Sequence, residues 1–176
     1  CRDITQRFNN DFEIENFLQV PEPLIQKKFS RIMSLKDGMK KMSKSDPSDF
    51  SRINLTDEKD LIVSKIKKAK TDPLPMPTNE ENLEKRPEAE NLLGIYSSLS
   101  NQNLEQSKKE FNGKNFSNFK EKLSDLLVEK IDPISKEIKK LLNDEKHLDN
   151  ILFDGSQKAD KIAYKKIKEI KQLIGF

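Results

Sequence analysis

The residues of this sequence best suited to chemistry lie in "KKMSKSDP", residues 40–47, which holds three lysines and two serines. Lys41 and Lys44 are three positions apart, so in a single turn of loop or helix they project to the same side. Ser43 and Ser45 add hydroxyl donors. Ammonium and hydroxyl groups in this arrangement can bind a polyphosphate. From the residue types alone, a phosphate-binding loop and an ordinary solvated loop both fit.

Few other residues suggest chemistry. The chain lacks a Gly-x-x-x-x-Gly-Lys pattern, so the loop is not of the Walker type. One cysteine, Cys1, excludes a disulfide framework and a thiolate metal cluster, and no metal site is predicted. The only histidine, His147, is interpreted as a surface or capping residue.

Composition favours a helical protein with wide solvated faces. Charged residues make up 36% and apolar residues 34%, and the mean hydropathy is −0.82. The formal net charge is only +3, which does not by itself require a nucleic-acid partner. The single cysteine indicates a reducing, cytosolic setting. No apolar run is long enough for a membrane span, and no signal peptide is visible. The chain begins at Cys1 in what resembles the middle of a helix, which predicts a truncated chain.

The N-terminal half of the chain is predicted to mix short elements with irregular segments. A helix should end near residues 9–10, and "SRIMSL" (30–35) alternates like a short strand. Thr56 is the expected N-cap of a helix that buries Leu61, Ile62, Ile66 and Ala69. Residues 71–87 hold four prolines and predict a linker or wrapped loop, after which Pro87 begins a helix.

The C-terminal half is predicted to be helical over 103–111, 116–142, 145–153 and 157–174. Pro133 should kink or interrupt the second of these helices. Gly155 should stop the third, with Ser156 capping the fourth. The last helix has an apolar stripe formed by Ala159, Ile162, Ala163, Ile167, Ile170 and Ile174. Its opposite face is basic and carries Lys158, Lys161, Lys165, Lys168 and Lys171. A solvated face is the commoner explanation for such lysines, and tRNA contact is the alternative.

The word "KMSKS" (41–45) matches a signature of class I aminoacyl-tRNA synthetases. Its surroundings, "SRIMSLKDGMKKMSKSDPSDFSRINL", resemble the tryptophanyl-tRNA synthetase family. Further stretches follow in family order: "CRDITQRFN", "KIKKAKTDP", "RPEAENLLGIYSSLS", "FKEKLSDLLVEKIDPI" and "DGSQKADKIA". The resemblance therefore covers essentially the whole chain. Tyrosyl enzymes share the loop but, as a rule, not "RIMSL" or "KAKTDP…NLLGIY".

The resemblance implies a mainly α chain with two parts. Residues 1–52 would form the C-terminal portion of a Rossmann-like α/β catalytic domain with the KMSKS loop. Residues 53–176 would form a helical domain of the type that binds the tRNA anticodon region, with its last helices packing back on the catalytic domain. The family's N-terminal half, which holds a His-containing signature, is not among these 176 residues.

The resemblance also assigns roles to residues of the loop. Lys41 and Lys44 would be catalytic, contacting the triphosphate of ATP and stabilising the departing pyrophosphate. Ser43 and Ser45 would donate hydrogen bonds to the nucleotide, and Met42, in the same nucleotide-binding set, would pack the loop. Ile32 would contact the nucleotide through its backbone, be a plain strand core residue, or both. Lys40, outside the signature, should face solvent.

The implied enzyme is a tryptophan–tRNA ligase that uses ATP with Mg²⁺, tryptophan and tRNA-Trp. As the full-length enzyme it would be a cytoplasmic homodimer without a membrane association, and the present chain alone should be inactive. Two alternatives remain open at this point. One is a stand-alone helical RNA-binding or scaffold module with a vestigial loop, and the other is a different class I synthetase such as a tyrosyl enzyme.

Overall fold

The computed structural model describes residues 1–25 and 29–176, which divide into two compact units, Cys1–Arg31 and Ile32–Phe176. In the first unit, helix α1 (Arg2–Asp11) precedes an irregular segment, as predicted. The carboxamide of Asn9 joins the two, because it accepts from the N–H of Leu18 at 2.9 Å and donates to the Leu18 carbonyl at 2.8 Å. Phe8 also packs against Phe12 and Phe17.

The second unit begins with a small antiparallel hairpin. Strand β1 (Met33–Ser34) pairs with β2 (Asp37–Lys41), with Met33 opposite Lys41 and Ser34 opposite Asp37. The strand predicted within "SRIMSL" is therefore present, although it is only two residues long. A short 3₁₀ turn, Asp49–Ser51, follows the hairpin and leads towards helix α2 (Lys59–Lys68).

Four more helices complete the second unit: α3 (Pro87–Ser100), α4 (Leu104–Phe111), α5 (Phe116–Leu142) and α6 (Glu145–Leu173). The predicted start of α3 and the predicted bounds of α5 are confirmed, and α4 begins one residue after its predicted start. Local residues specify the ends of α3 and α4. Pro87 occupies the first turn of α3, and Asn101 ends it with a left-handed backbone. Asn103 and Gln106 form a reciprocal capping box that begins α4.

The hydrophobic core lies where α2 packs on α5 and where α3 packs on α4 and α5. Phe111 and Phe119 meet edge to face with ring centroids 4.8 Å apart, and Tyr96 contacts both rings. Tyr96 and Phe119 are thus core residues. Leu35, from the end of the hairpin, belongs to the same core, which ties the hairpin to the helices.

The predicted start of α2 at Thr56 is wrong. The N-cap is Glu58, and Thr56 lies in a preceding turn closed by the N–H of Asp57 on the carbonyl of Asn54, 3.1 Å away. The Asp57 carboxylate also accepts from the N–H of Asn54 at 2.9 Å. Asp57, which would directly follow a Thr56 cap in the helix, is thus part of this turn, and the helix begins only at Lys59. Ile62, Ile66 and Ala69 are buried as expected, whereas Leu61 is only partly buried.

Two predicted interruptions of the C-terminal helices are absent. Helix α5 continues through Pro133, because Ile131 and Ser135 on either side are buried and hold the flanking turns in place. Helix α6 continues through Gly155, which has no left-handed backbone angle to stop the helix. Ser156 does not cap a new helix, since its hydroxyl donates to the Phe153 carbonyl at 2.8 Å. His147 is exposed, and its N–H is capped by Asp144.

Helix α6 leaves its apolar stripe uncovered. None of its residues is buried, and Ile162 is 80% exposed. The lysines of its basic face are exposed as well. Among residues 1–25 and 29–176, no helix is both long and apolar enough to span a bilayer.

The proline-rich segment between α2 and α3 is a wrapped loop with one 3₁₀ turn, Leu83–Lys85. Arg86, only 6% exposed, holds it together. Its guanidinium donates to both oxygens of Asp72, at 2.9 and 2.6 Å, to the carboxylate of Glu81 and to the carbonyl of Pro75. Of the two predicted alternatives, a linker and a wrapped loop, the structure shows the wrapped loop.

Candidate functional site

The KMSKS loop begins at the end of the hairpin. Lys41 is the last residue of β2, whereas Lys44 lies in the turn beyond it. Met42 is partly buried and packs against the core, as predicted. Its N–H donates to the carbonyl of Ile32 at 3.0 Å. Ile32 itself is 46% exposed and lies outside β1, so it is not a core residue of a strand.

Lys41 and Lys44 are both exposed cations. Within the described ranges, neither ammonium group has a hydrogen-bond or ion-pair partner, in contrast to the neighbouring Lys40, which lies 3.7 Å from the carboxylate of Asp37. Lys40 is exposed, as predicted, but its charge is partly balanced. The loop therefore presents two uncompensated positive charges, a suitable arrangement for an anionic ligand.

The two serines of the loop are brought together. Their hydroxyl oxygens are 2.9 Å apart, and the N–H of Ser45 donates to the Ser43 hydroxyl at 3.3 Å. The N–H of Asp46 reaches the Ser43 carbonyl at 3.4 Å and closes the turn. Both side chains are exposed, so the hydroxyls can exchange this mutual contact for one to a phosphate oxygen.

Asn91 of α3 fixes β1, the strand that pairs with β2, and β2 leads into the loop. Its Oδ1 accepts from the N–H of Met33 at 2.8 Å, and its Nδ2 donates to the Met33 carbonyl at 2.9 Å. Asn91 is 8% exposed, so these bonds are shielded from water. Strand β1 therefore has a fixed position on α3.

Backbone contacts join the two sides of the loop. The N–H of Leu35 donates to the Ser51 carbonyl at 2.9 Å, and the Leu35 carbonyl accepts from the N–H of Lys70 at 2.7 Å. Gly38 sits so close to the start of α3 that a Cβ atom would lie 2.7 Å from the backbone of Pro87. The Lys70 ammonium, 2.8 Å from Glu88, holds the pKa of that carboxyl below its ordinary value.

The residues after the loop converge on a buried lysine of α2. Lys65 is fully buried, with its Nζ 2.6 Å from Asp57 and 2.7 Å from Asp49. Asp49 also pairs with Arg52 at 3.1 Å, and Arg52 Nη1 donates to the carbonyl of Asp46 at 2.9 Å. The hydrogen bond from Lys65, followed by one from Asn54, lowers the pKa of Asp49.

Sequence reasoning did not select Lys65 or Asn91. "KIKKAK" contains four lysines, and composition alone does not separate a buried one from the others. Helical spacing would have helped, since Lys65 is three residues after Ile62 and four before Ala69, both of which are buried. Asn91 carries no comparable signal, because its partner Met33 is 58 residues away.

Residues 1–132 match the model of the family described as tRNA synthetases class I (W and Y). The chain belongs to this family. The class I resemblance read from the KMSKS loop is thus confirmed, and the family match covers both the loop and the residues that hold it.

Curated relatives in this family carry the name tryptophan–tRNA ligase. The chain is 47% identical to the protein of Caulobacter vibrioides over 175 residues, which is 99% of this chain and 51% of the relative. It is 48% identical to that of Rickettsia conorii, covering 99% of this chain and 52% of the relative. The chain spans about half the length of these relatives.

Solved structures of tryptophanyl-tRNA synthetases have a similar fold. The enzyme of Mycoplasma pneumoniae matches with a TM-score of 0.83 and 25% identity over 99% of this chain and 51% of that one. The Campylobacter jejuni enzyme, complexed with ADP and tryptophan, matches with a TM-score of 0.64 and 22% identity over 99% and 52%. The expectation of a mostly helical chain like part of such an enzyme is confirmed.

Proposed function

We propose that this chain forms part of a tryptophan–tRNA ligase, which joins tryptophan to ATP as tryptophanyl-adenylate and then transfers it to tRNA-Trp. The single observation that carries the proposal is the pair of exposed, uncompensated lysines, Lys41 and Lys44, on a loop whose ends are held by the core. Family membership and the names of the curated relatives support the choice of reaction.

The proposed chemistry assigns each loop residue a role. The tryptophan carboxylate attacks the α-phosphorus of ATP, and the bond to the bridging oxygen of pyrophosphate breaks. Negative charge then grows on the departing pyrophosphate, where the Lys41 and Lys44 ammonium groups stabilise it. The hydroxyls of Ser43 and Ser45 donate to phosphate oxygens, and the backbone of Ile32 contacts the nucleotide.

Magnesium is proposed to arrive with the nucleotide. Across the described residues, no three His, Cys, Asp or Glu side chains are grouped to hold a metal ion. Mg²⁺ commonly keeps several waters and is bound largely through substrate phosphates. Lys41 and Lys44 would contact phosphate oxygens of ATP, and the ion, bound with the nucleotide, would neutralise further negative charge.

The finer assignments of domain and partner belong to the same proposal. Residues 1–52 would be the C-terminal portion of a Rossmann-like catalytic domain, and residues 53–176 a helical domain that binds the anticodon region of tRNA-Trp. The complete enzyme would be a cytoplasmic homodimer. The exposed apolar stripe of α6 is consistent with packing of the last helices on the catalytic domain.

The test is tryptophan-dependent ATP–pyrophosphate exchange by a fusion in which these 176 residues replace the segment they match in the Caulobacter vibrioides ligase. The fusion should catalyse exchange with tryptophan and not with tyrosine, whereas the 176-residue chain alone should give none. Lys44→Ala should slow adenylate formation by about 10²–10³-fold, the scale of losing one preorganised donor. Lys40→Ala is the matched control and should stay near the parent rate.

Two results would contradict the proposal. Exchange with tyrosine in place of tryptophan would refute the choice of amino acid. A Lys44→Ala rate within about threefold of the parent, on the order of 0.6 kcal/mol in the barrier, would make the loop an ordinary surface feature.

A further inference from the structure

We infer that Asp49 and buried Lys65 position Lys44 for catalysis, although neither residue lies in the loop signature. The inference rests on the proposed function of Lys41 and Lys44. It assigns Asp49 the role of a positioning residue, which acts on the reaction through Arg52 and the backbone of Asp46.

Lys65 gives the arrangement a rigid base. Its side chain is fully buried on the face of α2 that also buries Ile62 and Ile66. Burying an ammonium group costs free energy unless carboxylates pair with it, and Asp57 and Asp49 do so at 2.6 and 2.7 Å. The lysine therefore has one well-defined position in the core.

Asp49 connects the buried lysine to residues nearer the surface. Its Oδ2 receives the Lys65 bond, while its Oδ1 lies 3.1 Å from Arg52 and accepts from Asn54 Nδ2 at 3.0 Å. Arg52 Nη1 in turn donates to the carbonyls of Asp46 at 2.9 Å and Ser48 at 3.4 Å. A continuous series of charge-assisted bonds thus links the core to the backbone just past the KMSKS loop.

Only a few residues separate this series of bonds from the catalytic lysine Lys44. Asp46 directly follows Ser45 and is two residues from Lys44, so its backbone direction sets where Lys44 can reach. A misplacement of about 1 Å in a catalytic group can cost on the order of 10²-fold in rate. Losing Asp49 should therefore reduce catalysis without removing any group that contacts the substrate.

Asp49→Asn is the selective variant. The Asp49 side chain is 46% exposed, and the variant leaves the buried Lys65–Asp57 pair in place, so the fold should be retained. The matched control is Asp125→Asn, an exposed aspartate on α5. Lys65→Met is less suitable here, since it would leave Asp57 buried without its partner.

Hydrogen exchange on the 176-residue chain tests the positioning contact without reference to activity. Asp49→Asn should speed exchange of the Ser48, Ser51 and Arg52 amides at least tenfold and leave those of α5 unchanged. Asp125→Asn should change none of the three. Equal exchange in the parent and Asp49→Asn would overturn the inference.

Kinetics in the fusion protein tests the catalytic consequence. Asp49→Asn should lower kcat for adenylate formation by about 10- to 100-fold, with the KM for tryptophan little changed. In a Lys44→Ala background the same substitution should have little further effect, because it acts through Lys44. A merely structural role would instead give the same fold-loss in both backgrounds.

The outcomes separate the two proposals. An inactive parent fusion would refute the proposed function, and hydrogen exchange would still decide whether Asp49 holds the loop. An active parent with Asp49→Asn within twofold of it, or with fully additive losses, would overturn the inference and leave the ligase assignment standing.

Discussion

The carboxamide of Asn91 is bonded to both backbone polar atoms of Met33, 58 residues earlier in the chain. It accepts from the N–H at 2.8 Å and donates to the carbonyl at 2.9 Å, as a neighbouring strand would. A helix side chain thus takes the place of a missing strand partner. The position of β1 is therefore set by α3, and β1 in turn pairs with β2, the strand that leads into the loop.

Asn91→Ala should destabilise the protein. The substitution removes both partners of Met33 in a site that is nearly closed to water, and an unsatisfied buried polar group costs about 1–3 kcal/mol. Alanine has the better helix propensity, so any loss reflects the missing bonds. Urea unfolding should show the loss, with Asn118→Ala, an exposed asparagine on α5, as the control. Equal midpoints for the two variants would contradict the assignment.

Lys65→Met should be among the most destabilising single changes in the chain. The methionine fills a similar volume but leaves Asp57, whose side chain is 5% exposed, without its cation. Removing one partner of a buried pair typically costs about 3–5 kcal/mol. Lys67→Met, an exposed lysine on the same helix, should be close to neutral in the same urea titration.

A double variant would show whether the unpaired charge of Asp57 causes the loss of stability in Lys65→Met. Replacing Asp57 by Asn in the Lys65→Met background removes the uncompensated charge and should restore part of the stability. If it restores none, packing around α2 and not charge would explain the loss.

Two Gly→Ala substitutions should act in opposite directions. At Gly38 the added methyl group would meet the backbone of Pro87 and Glu88 at 2.7 Å, and overpacking of this kind costs about 1–3 kcal/mol. At Gly155 nothing lies within 4 Å and the backbone is helical, so alanine should stabilise α6 by up to about 1 kcal/mol. Thermal unfolding of both variants checks the pair. If Gly155→Ala destabilised the protein, the finding that α6 continues as a regular helix through Gly155 would be contradicted.

The contribution of Asp49 to stability should depend on pH. Its pKa is lowered from the ordinary 3.8, chiefly by the bond from Lys65, so the charged form is favoured in the folded state. A lowered folded-state pKa gives stability that is present above the unfolded pKa and lost as the pH falls through the folded one. The difference in unfolding free energy between the parent and Asp49→Asn should therefore be full at pH 5–7 and shrink below about pH 4. A difference that grew on acidification would refute this account.

The elements that the sequence predicted well are those with local signals at both ends. Pro87 begins α3 and the Asn103–Gln106 pair begins α4, so only neighbouring residues were needed. The predicted interruption at Pro133 and the predicted stop at Gly155 are absent for a different reason. Packing on both sides of Pro133 holds α5 together, and one glycine without a left-handed backbone does not end a helix.

The residues of the candidate site also fall into those that the sequence predicts and those that it does not. The loop itself was predictable, because Lys41, Ser43, Lys44 and Ser45 are contiguous in sequence and of a recognisable pattern. The residues that hold it were not, because Asn91 meets Met33 and Lys65 meets Asp49 only after the chain has folded. Long-range hydrogen bonds leave no periodic trace in a single sequence.

The bond from the Leu35 N–H to the Ser51 carbonyl closes residues 35–51 into a ring. Leu35 is also bonded to Lys70, and Ser51 is fully buried, so both ends of the ring stay fixed whatever lies between them. A single proteolytic cut after Lys44 would therefore produce two polypeptides that remain associated. On a denaturing gel the nicked protein would run as two bands, whereas in native size-exclusion chromatography it would elute as one species.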